Sequence, residues 1–149
     1  MSGSRKTACD NHSKAYVKNG FHLIEILIVF SLLAILCSFA LPLYTDYVRD
    51  TKRTAAKIML LRYAAALERY YFLHHSYKGA TAERLHLPEV IADNQYHIQL
   101  THLSETGYVV SAIPQGVQAL RDKNCATLSL NQADERTVTG HHEAAACWR

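Results

Sequence analysis

The sequence predicts an α+β protein in which a long N-terminal helix packs on a small antiparallel sheet of about four strands. Three observations predict it: an apolar run over 21–43, helix-forming residues that continue to about residue 73, and short alternating segments after residue 95. A helix over 21–73 would be about 80 Å long. One small domain cannot bury a helix of that length, so part of its surface must face a membrane or other protein copies.

Length and composition limit the possible classes of protein. The chain has 149 residues, of which 49% are hydrophobic and 19% charged, with 6 glycines and 3 prolines. These values fit one globular domain and exclude disordered and collagen-like chains. The formal net charge of +3 is already reached within the first 19 residues, so the rest of the chain is neutral. A neutral chain lacks the basic excess typical of strong nucleic-acid binding.

The apolar run is long enough to span a membrane. It extends from Phe21 to Leu43, and the bilayer core requires about 20 such residues. All basic residues of the leader precede it, which predicts that the chain after residue 43 is exported. A cleavable secretory signal is disfavoured, because bulky residues and Pro42 surround the small residues at its end. Two alternatives are left: a permanent uncleaved anchor, and cleavage before the apolar run.

Glu25 is the one ionisable carboxylate inside this run. A charge in hydrocarbon costs about 2.5 kcal/mol or more, so such a residue is a functional candidate. Its position near the helix start, within reach of lipid headgroups and the helix dipole, is the structural alternative.

The segment Gly20-Phe21-His22-Leu23-Ile24-Glu25, followed by a long apolar run, Pro42 and Tyr44, resembles the prepilin signature of type IV pilins and type II secretion pseudopilins. The resemblance implies the type IV pilin fold. It also implies that prepilin peptidase removes the leader 1–20 by cutting after Gly20 and methylates the new amino terminus at Phe21. In that family, Glu25 would neutralise the N-terminal ammonium of a neighbouring subunit, since a buried charge is tolerable only when it is paired.

Four regions follow from this interpretation. After the leader 1–20, residues 21–43 form the transmembrane and assembly half of the helix, 44–73 its exported half, and 74–149 a globular head with a C-terminal disulfide loop. Pro42 has no N–H and clashes with the preceding turn, so we expect it to kink the helix rather than end it.

The exported half of the helix carries two apolar stripes about 140° apart. One stripe can pack on the protein's own sheet and leave the other for a partner; the alternative is a helix sunk deeper in its own domain. The stripes are Ile58, Leu61, Ala65 and Phe72, and Leu60, Ala64, Leu67 and Tyr71. Basic residues at every fourth position, Arg49, Arg53 and Lys57, predict a face toward solvent or anionic lipid, or ion pairs to a neighbouring subunit.

The head begins with a connecting loop over 74–95 that contains a short helical turn around 81–85. Alternating apolar residues predict strands at 96–101 and 108–113. Two shorter strands are expected at 126–130 and 136–139, after an excursion over 114–124.

The back half resembles minor pilins of the PilE kind, through Tyr96–Leu100, Tyr108–Pro114, the segment that begins at Cys125, and the terminal Cys147-Trp148. The small core of the head and its exported location predict a disulfide between Cys125 and Cys147, worth about 3 kcal/mol in the chain-entropy model. A zinc site made by these two cysteines with His141 and His142 is the alternative. Cys37 is expected to be a small buried hydrophobe, and Cys9 to stay in the cytoplasm.

No catalytic motif is recognisable. The zinc-protease pattern begins at His142-Glu143, but its second histidine is replaced by Ala146. We therefore expect no enzyme activity, no cofactor and no bound metal.

The sequence thus predicts a minor subunit of a type IV pilus that supports pilus biogenesis, twitching motility and adhesion. Its expected partners are prepilin peptidase, the major pilin, other minor pilins, the assembly platform and, before assembly, the inner membrane, with the head in the periplasm. A pseudopilin is one alternative, although Asp134-Glu135 is the only adjacent acidic pair for a calcium loop. A DNA-uptake pilin is another, with a local basic patch of Arg121, Lys123, Arg136 and Arg149.

Overall fold

A computed structural model describes residues 22–149 of the chain. They fall into two compact units that meet between Phe39 and Ala40. The elements, in chain order, are α1 (Leu23–His74), α2 (Ala82–Leu85), β1 (Val90–Ile91), β2 (Tyr96–Thr101), β3 (Val109–Pro114), α3 (Gly116–Arg121), β4 (Leu128–Asn131), β5 (Arg136–Val138) and α4 (Ala144–Trp148).

The first unit consists, within the described residues, of the apolar start of α1. Its side chains are exposed, and the helix includes an 18-residue window of mean hydropathy 2.7. By length and composition it is able to cross a membrane. The hydroxyls of Ser31 and Ser38 donate to carbonyls three residues earlier, at 2.7 and 2.6 Å. These two polar groups are therefore satisfied inside the helix and need no water.

Helix α1 continues through Pro42 and ends at His74, one residue beyond the predicted end. The Thr45 hydroxyl donates to the Pro42 carbonyl at 2.9 Å. A proline inside a helix removes one backbone hydrogen bond without necessarily ending the helix. The predicted kink at Pro42 stays a prediction.

The second unit contains an antiparallel sheet in which the five strands lie in their sequence order, β1 to β5. Four of the strands were predicted, and β1 is additional. It pairs with β2 through Val90 opposite His97 and Ile91 opposite Tyr96, within the segment expected to be a loop. Two residues are too few to show the alternation that identifies a strand in sequence.

The core lies between one face of α1 and the inner face of the sheet. Strands β2, β3 and β4 bury alternate residues, as the period of a half-buried strand requires. The buried residues of α1 are spaced at four, three and four positions and therefore share one face. The central core residues are Ala56, Leu60, Tyr63 and Leu67 from α1, and Tyr96, Ile98, Val110, Ala112, Leu128 and Leu130 from the sheet.

Helix α2 confirms the predicted turn, and the Thr81 hydroxyl caps it by accepting a hydrogen bond from the Arg84 N–H at 3.2 Å. Helices α3 and α4 were not predicted. With six and five residues, they are too short to show a helical period.

A tyrosine cluster closes the end of the head near the C-terminus of α1. Tyr77 stacks on Tyr71 at 4.7 Å between ring centroids and meets Tyr108 edge-on at 4.9 Å. The Tyr77 hydroxyl donates to the Glu68 carboxylate at 2.9 Å. Burial, the larger cause, and this hydrogen bond raise the pKa of Tyr77 to about 12, and burial raises the pKa of Tyr63 to about 12.

These raised pKa values predict loss of stability at high pH. Between about pH 10 and 12 the unfolded chain ionises its tyrosines, whereas Tyr63 and Tyr77 stay neutral in the folded head. The unfolded state then binds fewer protons, so stability is full below pH 10 and falls as pH rises through the folded pKa. The slope is at most about 1.4 kcal/mol per pH unit for each residue. Urea unfolding followed by Trp148 fluorescence measures it.

The matched variants are Tyr77→Phe, which should flatten this slope, and Tyr47→Phe, which should not, because Tyr47 is exposed. Equal slopes in the two variants would contradict the assignment.

Candidate functional site

The predicted processing residues, Gly20 and Phe21, lie outside the described residues, and their roles stay predictions. Glu25 is in the first turn of α1, where it is exposed and where its N–H donates to the His22 carbonyl at 2.9 Å. It is the only charged side chain between Leu23 and Leu43.

The side chains around and after Glu25 form a continuous apolar surface. Large residues along this segment expose about half or more of their area, and the helix window that they form is not buried at all. An apolar surface of this extent marks contact with lipid or with another protein. The exposed residues include Leu27, Phe30, Leu33, Leu36, Phe39 and Leu43, and the Cys37 thiol predicted to be buried is exposed among them.

The part of α1 from residue 44 to its end separates the two predicted stripes. Leu60 and Leu67 are fully buried against the head's own sheet. Ile58 and Phe72 of the other stripe are 50% and 79% exposed. This confirms that one stripe packs within the head. The exposed one, called the outer stripe below, consists of Ile58, Leu61, Ala65 and Phe72.

A buried polar network, here called the docking cluster, fastens α1 to the head. The Arg53 guanidinium donates to both oxygens of the Asp122 carboxylate, at 2.8 and 2.5 Å. The hydroxyl of Tyr96 donates to the same carboxylate at 3.0 Å. Gln118, four residues before Asp122, donates from its side-chain amide to the Arg49 carbonyl at 3.1 Å. The docking cluster is Arg53, Tyr96, Gln118 and Asp122.

Pairing of opposite charges explains why the docking cluster can be buried. The Asp122 side chain is 1% exposed and that of Arg53 15%. The hydrogen bond to Asp122 raises the pKa of Arg53 against the opposing effect of burial. A bidentate, charge-assisted pair offsets part of the desolvation cost that either ion alone would carry. The network holds two opposite charges next to each other. The Asp122 carboxylate accepts hydrogen bonds from Arg53 and Tyr96 and is therefore not free to act as a nucleophile or a base.

This network changes the interpretation of the basic stripe on α1. Its three half-buried residues all make polar contacts within the chain. Arg49 pairs with Asp46 and Asp50, both at 3.0 Å. Lys57 donates to the Arg149 carbonyl at 2.6 Å, and burial lowers its pKa. The partners of Arg49 lie in α1 itself, whereas those of Arg53 and Lys57 come from the end of α3 and the C-terminus, which the sequence pattern did not bring near α1.

The implied disulfide is present. Cys125 and Cys147 are bonded, with their Cα atoms 5.7 Å apart, and both are buried. The bond ties α4 and the C-terminus to the start of the last hairpin. Because the two sulfurs are joined to each other, they are not thiolate ligands in this state, although His142 lies beside them and completes a potential metal-binding group. The other histidine of the zinc alternative, His141, does not belong to that group.

The predicted basic patch is partly neutralised. Arg136 pairs with Asp134 at 3.1 Å, and its guanidinium lies 5.4 Å above the Trp148 ring. A second basic surface was not predicted. Two grooves of about 680 and 320 Å³ share lining residues and lie between α1 and α2. Their charged lining is Arg62, Arg69 and Arg84 against one carboxylate, Glu83.

Two residues of the docking cluster carry no recognisable signal in the sequence. Asp122 and Gln118 are in the excursion over 114–124, which was expected to be irregular. Their spacing of four positions, from within α3 to the residue just after it, is the only local pattern. A buried carboxylate cannot be distinguished from a surface one by such spacing, because its burial depends on residues 69 positions away.

Comparisons with known proteins agree with this architecture. A family model described as type IV minor pilin ComP, DNA uptake sequence receptor, matches residues 42–129, more than half of the chain. A fimbrial protein of Neisseria meningitidis serogroup B is 33% identical over 63 residues, or 42% of this chain. The chain matches 37% of the length of that curated relative.

Among solved structures, the non-core minor pilin PilV of Neisseria meningitidis is similar, with a TM-score of 0.51 and 19% identity over 63% of this chain and 89% of that chain. A type IV pilin from Shewanella oneidensis gives a TM-score of 0.47 and 24% identity, over 60% of this chain and 90% of that chain. The likeness to PilV shows that the two proteins share a fold, a helix packed on an antiparallel sheet.

Proposed function

We infer, from the premise that this chain belongs to the family of the type IV minor pilin ComP, that it is processed by prepilin peptidase and assembled into a pilus through α1. A pilin subunit is a structural protein and not an enzyme. Before assembly the chain would be held in the inner membrane by the apolar start of α1, with its head in the periplasm. Afterwards it would be part of the extracellular filament, with the major pilin and other minor pilins as neighbours, and would support pilus biogenesis, twitching motility and adhesion.

The observation that carries this proposal is the uncovered apolar surface of α1 with a single acid at its beginning. Lipid covers such a surface while the chain is a membrane protein, and neighbouring helices cover it in a filament. The outer stripe is a second exposed apolar surface, on the part of α1 that the proposal places outside the membrane. A protein partner is the occupant that suits both parts.

Glu25 supplies the charge that assembly chemistry requires. Cleavage after Gly20 would leave an ammonium group at Phe21, four residues before Glu25. Within an apolar bundle an unpaired ammonium or carboxylate is expensive, whereas a pair is tolerable. The proposed role of Glu25 is therefore to pair with the amino terminus of a neighbouring subunit during filament growth.

The proposal predicts the mature N-terminus. Mass spectrometry of sheared filaments should find this protein beginning at N-methyl-Phe21 in cells with an active prepilin peptidase. Gly20→Val should leave the full precursor in membranes, because a β-branched side chain would occupy the cleavage junction. Gly3→Val, a matched change elsewhere in the leader, should be processed normally. A mature chain that begins at another residue, or its absence from all filaments, would refute the proposal.

The structure and the comparisons favour a pilus over a secretion system. Calcium loops of pseudopilins need free clustered acids, but Asp134 pairs with Arg136, and the Glu135 carboxylate accepts a hydrogen bond from Asn131 at 2.9 Å. The family match and the fimbrial relative are both to pilins.

DNA uptake is a second candidate function. The matching family is described as a DNA uptake sequence receptor, and the basic surface between α1 and α2 is the specific observation that favours this function here. Within residues 22–149, Arg62 and Arg69 make no side-chain hydrogen bond or ion pair. Guanidinium groups of this kind are suited to phosphate oxygens. A neutral chain can bind DNA through such a local surface, with modest affinity.

Binding through this surface should depend on salt. We expect the affinity of the detergent-solubilised chain for duplex DNA to fall linearly with salt on logarithmic axes. The double variant Arg62→Ala/Arg69→Ala should reduce the slope by about 2. The matched double variant Arg121→Ala/Lys123→Ala should leave the slope nearly unchanged. DNA binding that is absent, or independent of salt, would exclude this function for the groove.

A further inference from the structure

The bonded cysteines have a third potential metal ligand, His142, beside them. The sulfurs of Cys125 and Cys147 and one imidazole nitrogen of His142 all lie within 4.8 Å of one another. Both cysteines are buried, while His142 is exposed. Two thiolates and an imidazole are the ligands that Zn²⁺ prefers.

Backbone hydrogen bonds keep His142 beside Cys125 independently of the disulfide. The His142 N–H donates to the Asn124 carbonyl at 2.8 Å, and the Gly140 N–H donates to the Cys125 carbonyl at 3.1 Å. The approach is so close that a Cβ atom on Gly140 would lie 2.1 Å from the Asn124 carbonyl oxygen. Glycine is needed here, since any side chain would force the two segments apart.

Side-chain packing keeps Cys147 in place in the same way. Its neighbour Trp148 packs against the core, and the indole N–H donates to the Thr137 carbonyl on β5 at 3.4 Å. The Arg136 guanidinium covers the Trp148 ring. Helix α4 therefore has contacts with β5 that do not require the S–S bond, and the three side chains should stay together when that bond is absent.

We propose that the dithiol form of this head binds one Zn²⁺ through Cys125, Cys147 and His142, with water as the fourth ligand. Tetrahedral zinc with usual bond lengths separates two sulfurs by about 3.8 Å and a sulfur from a nitrogen by about 3.5 Å. Rotation of the two cysteine side chains from the bonded geometry provides these distances. The exposed imidazole provides the entry route from solvent. This site does not depend on the proposed role in a pilus.

Zinc and the disulfide are mutually exclusive states of the same sulfurs. A newly translocated head carries two thiols. Binding Zn²⁺ releases their two protons to solvent, whereas a disulfide oxidant would remove two electrons and two protons and form the S–S bond. Bound zinc therefore protects the thiols until the oxidant acts, and formation of the disulfide expels the metal.

The test uses the full chain in detergent, without a polyhistidine tag, in a Cys9→Ala/Cys37→Ala background so that only two thiols remain. A water-soluble phosphine cleaves the disulfide: it takes the oxygen of one water and becomes the phosphine oxide, while the two sulfurs gain two hydrogens. After its removal under anaerobic conditions, Co²⁺ is added and then Zn²⁺. We expect one equivalent of Co²⁺ to give a thiolate-to-cobalt charge-transfer band that Zn²⁺ abolishes, and zinc to protect both thiols from a disulfide reagent.

Adjacent histidines provide the matched controls. His142→Ala should weaken Co²⁺ binding tenfold or more, His141→Ala should change it less than twofold, and Cys147→Ser should abolish the band. Trp148 fluorescence reports whether the reduced head stays folded. No charge-transfer band, equal effects of the two histidine variants, or the same band in the oxidised chain would overturn the site. If the reduced head were unfolded and bound metal through scattered residues, the His141→Ala and His142→Ala variants would have equal Co²⁺ affinities. That result would also overturn the site.

Discussion

Asp122→Ala is expected to destabilise the head by about 3 kcal/mol, the lower end of the cost of removing one partner of a buried ion pair. The variant leaves the Arg53 guanidinium with only a longer contact to the exposed Asp50, at 3.4 Å, and removes the acceptor of the Tyr96 hydroxyl. Both donors then lie in a region that water reaches poorly. Urea unfolding of the full chain in detergent measures the effect, with Trp148, the only tryptophan, as the probe of the head.

Two controls distinguish the effect of burying an ion pair from the effect of losing a charge. Glu105→Ala removes an exposed ion pair with Lys78 and should cost less than about 1 kcal/mol. The double variant Arg53→Met/Asp122→Ala removes both charges and should recover part of the lost stability, because no unpaired ion remains. If Asp122→Ala and Glu105→Ala cost the same, the docking cluster does not fasten α1 to the head.

Glu25→Ala is expected to reduce incorporation into filaments by more than tenfold, which is the largest functional effect predicted for this chain. The precursor should still be inserted and cleaved, because the apolar run and the cleavage junction are intact. The amino terminus of the neighbouring subunit would lose its proposed partner, and the cost of a lone charge in an apolar bundle would oppose each addition. Immunoblots of sheared filaments and of membranes measure incorporation and processing separately.

Substitutions that vary charge and length refine this test. Glu25→Gln keeps the shape without the charge and should resemble Glu25→Ala. Glu25→Asp keeps the charge and should retain much of the incorporation. Normal incorporation of the alanine variant would refute pairing at Glu25, even if the mature chain begins at Phe21.

The second half of α1 shows how much of the packing sequence periodicity predicts. The pattern predicted two apolar stripes, one of which packs on the protein's own sheet. The structure confirmed this. Leu60 and Ile58 are equally apolar, but only Leu60 faces the sheet. The choice between them depends on where the head joins α1, and α1's own sequence does not specify that junction.

The charged residues show what sequence periodicity does not predict. Arg53 has the same spacing and local surroundings as a surface arginine, so solvent, lipid or a neighbour were reasonable expectations. Its partner Asp122 comes from a segment with no recognisable pattern. Long-range pairing of single polar residues leaves no periodic signal, unlike the burial of a helix face or a strand.

The sequence by itself determined the long apolar helix, the single acid within it, the alternating strands and the family resemblance. These features rest on local composition and on repeating patterns, which are properties of neighbouring residues. Only the tertiary structure decided which stripe of α1 is covered, that Arg53 is neutralised inside the head, and that His142 lies beside the disulfide. Each of those depends on residues far apart in sequence, whose proximity is set by packing of the whole head.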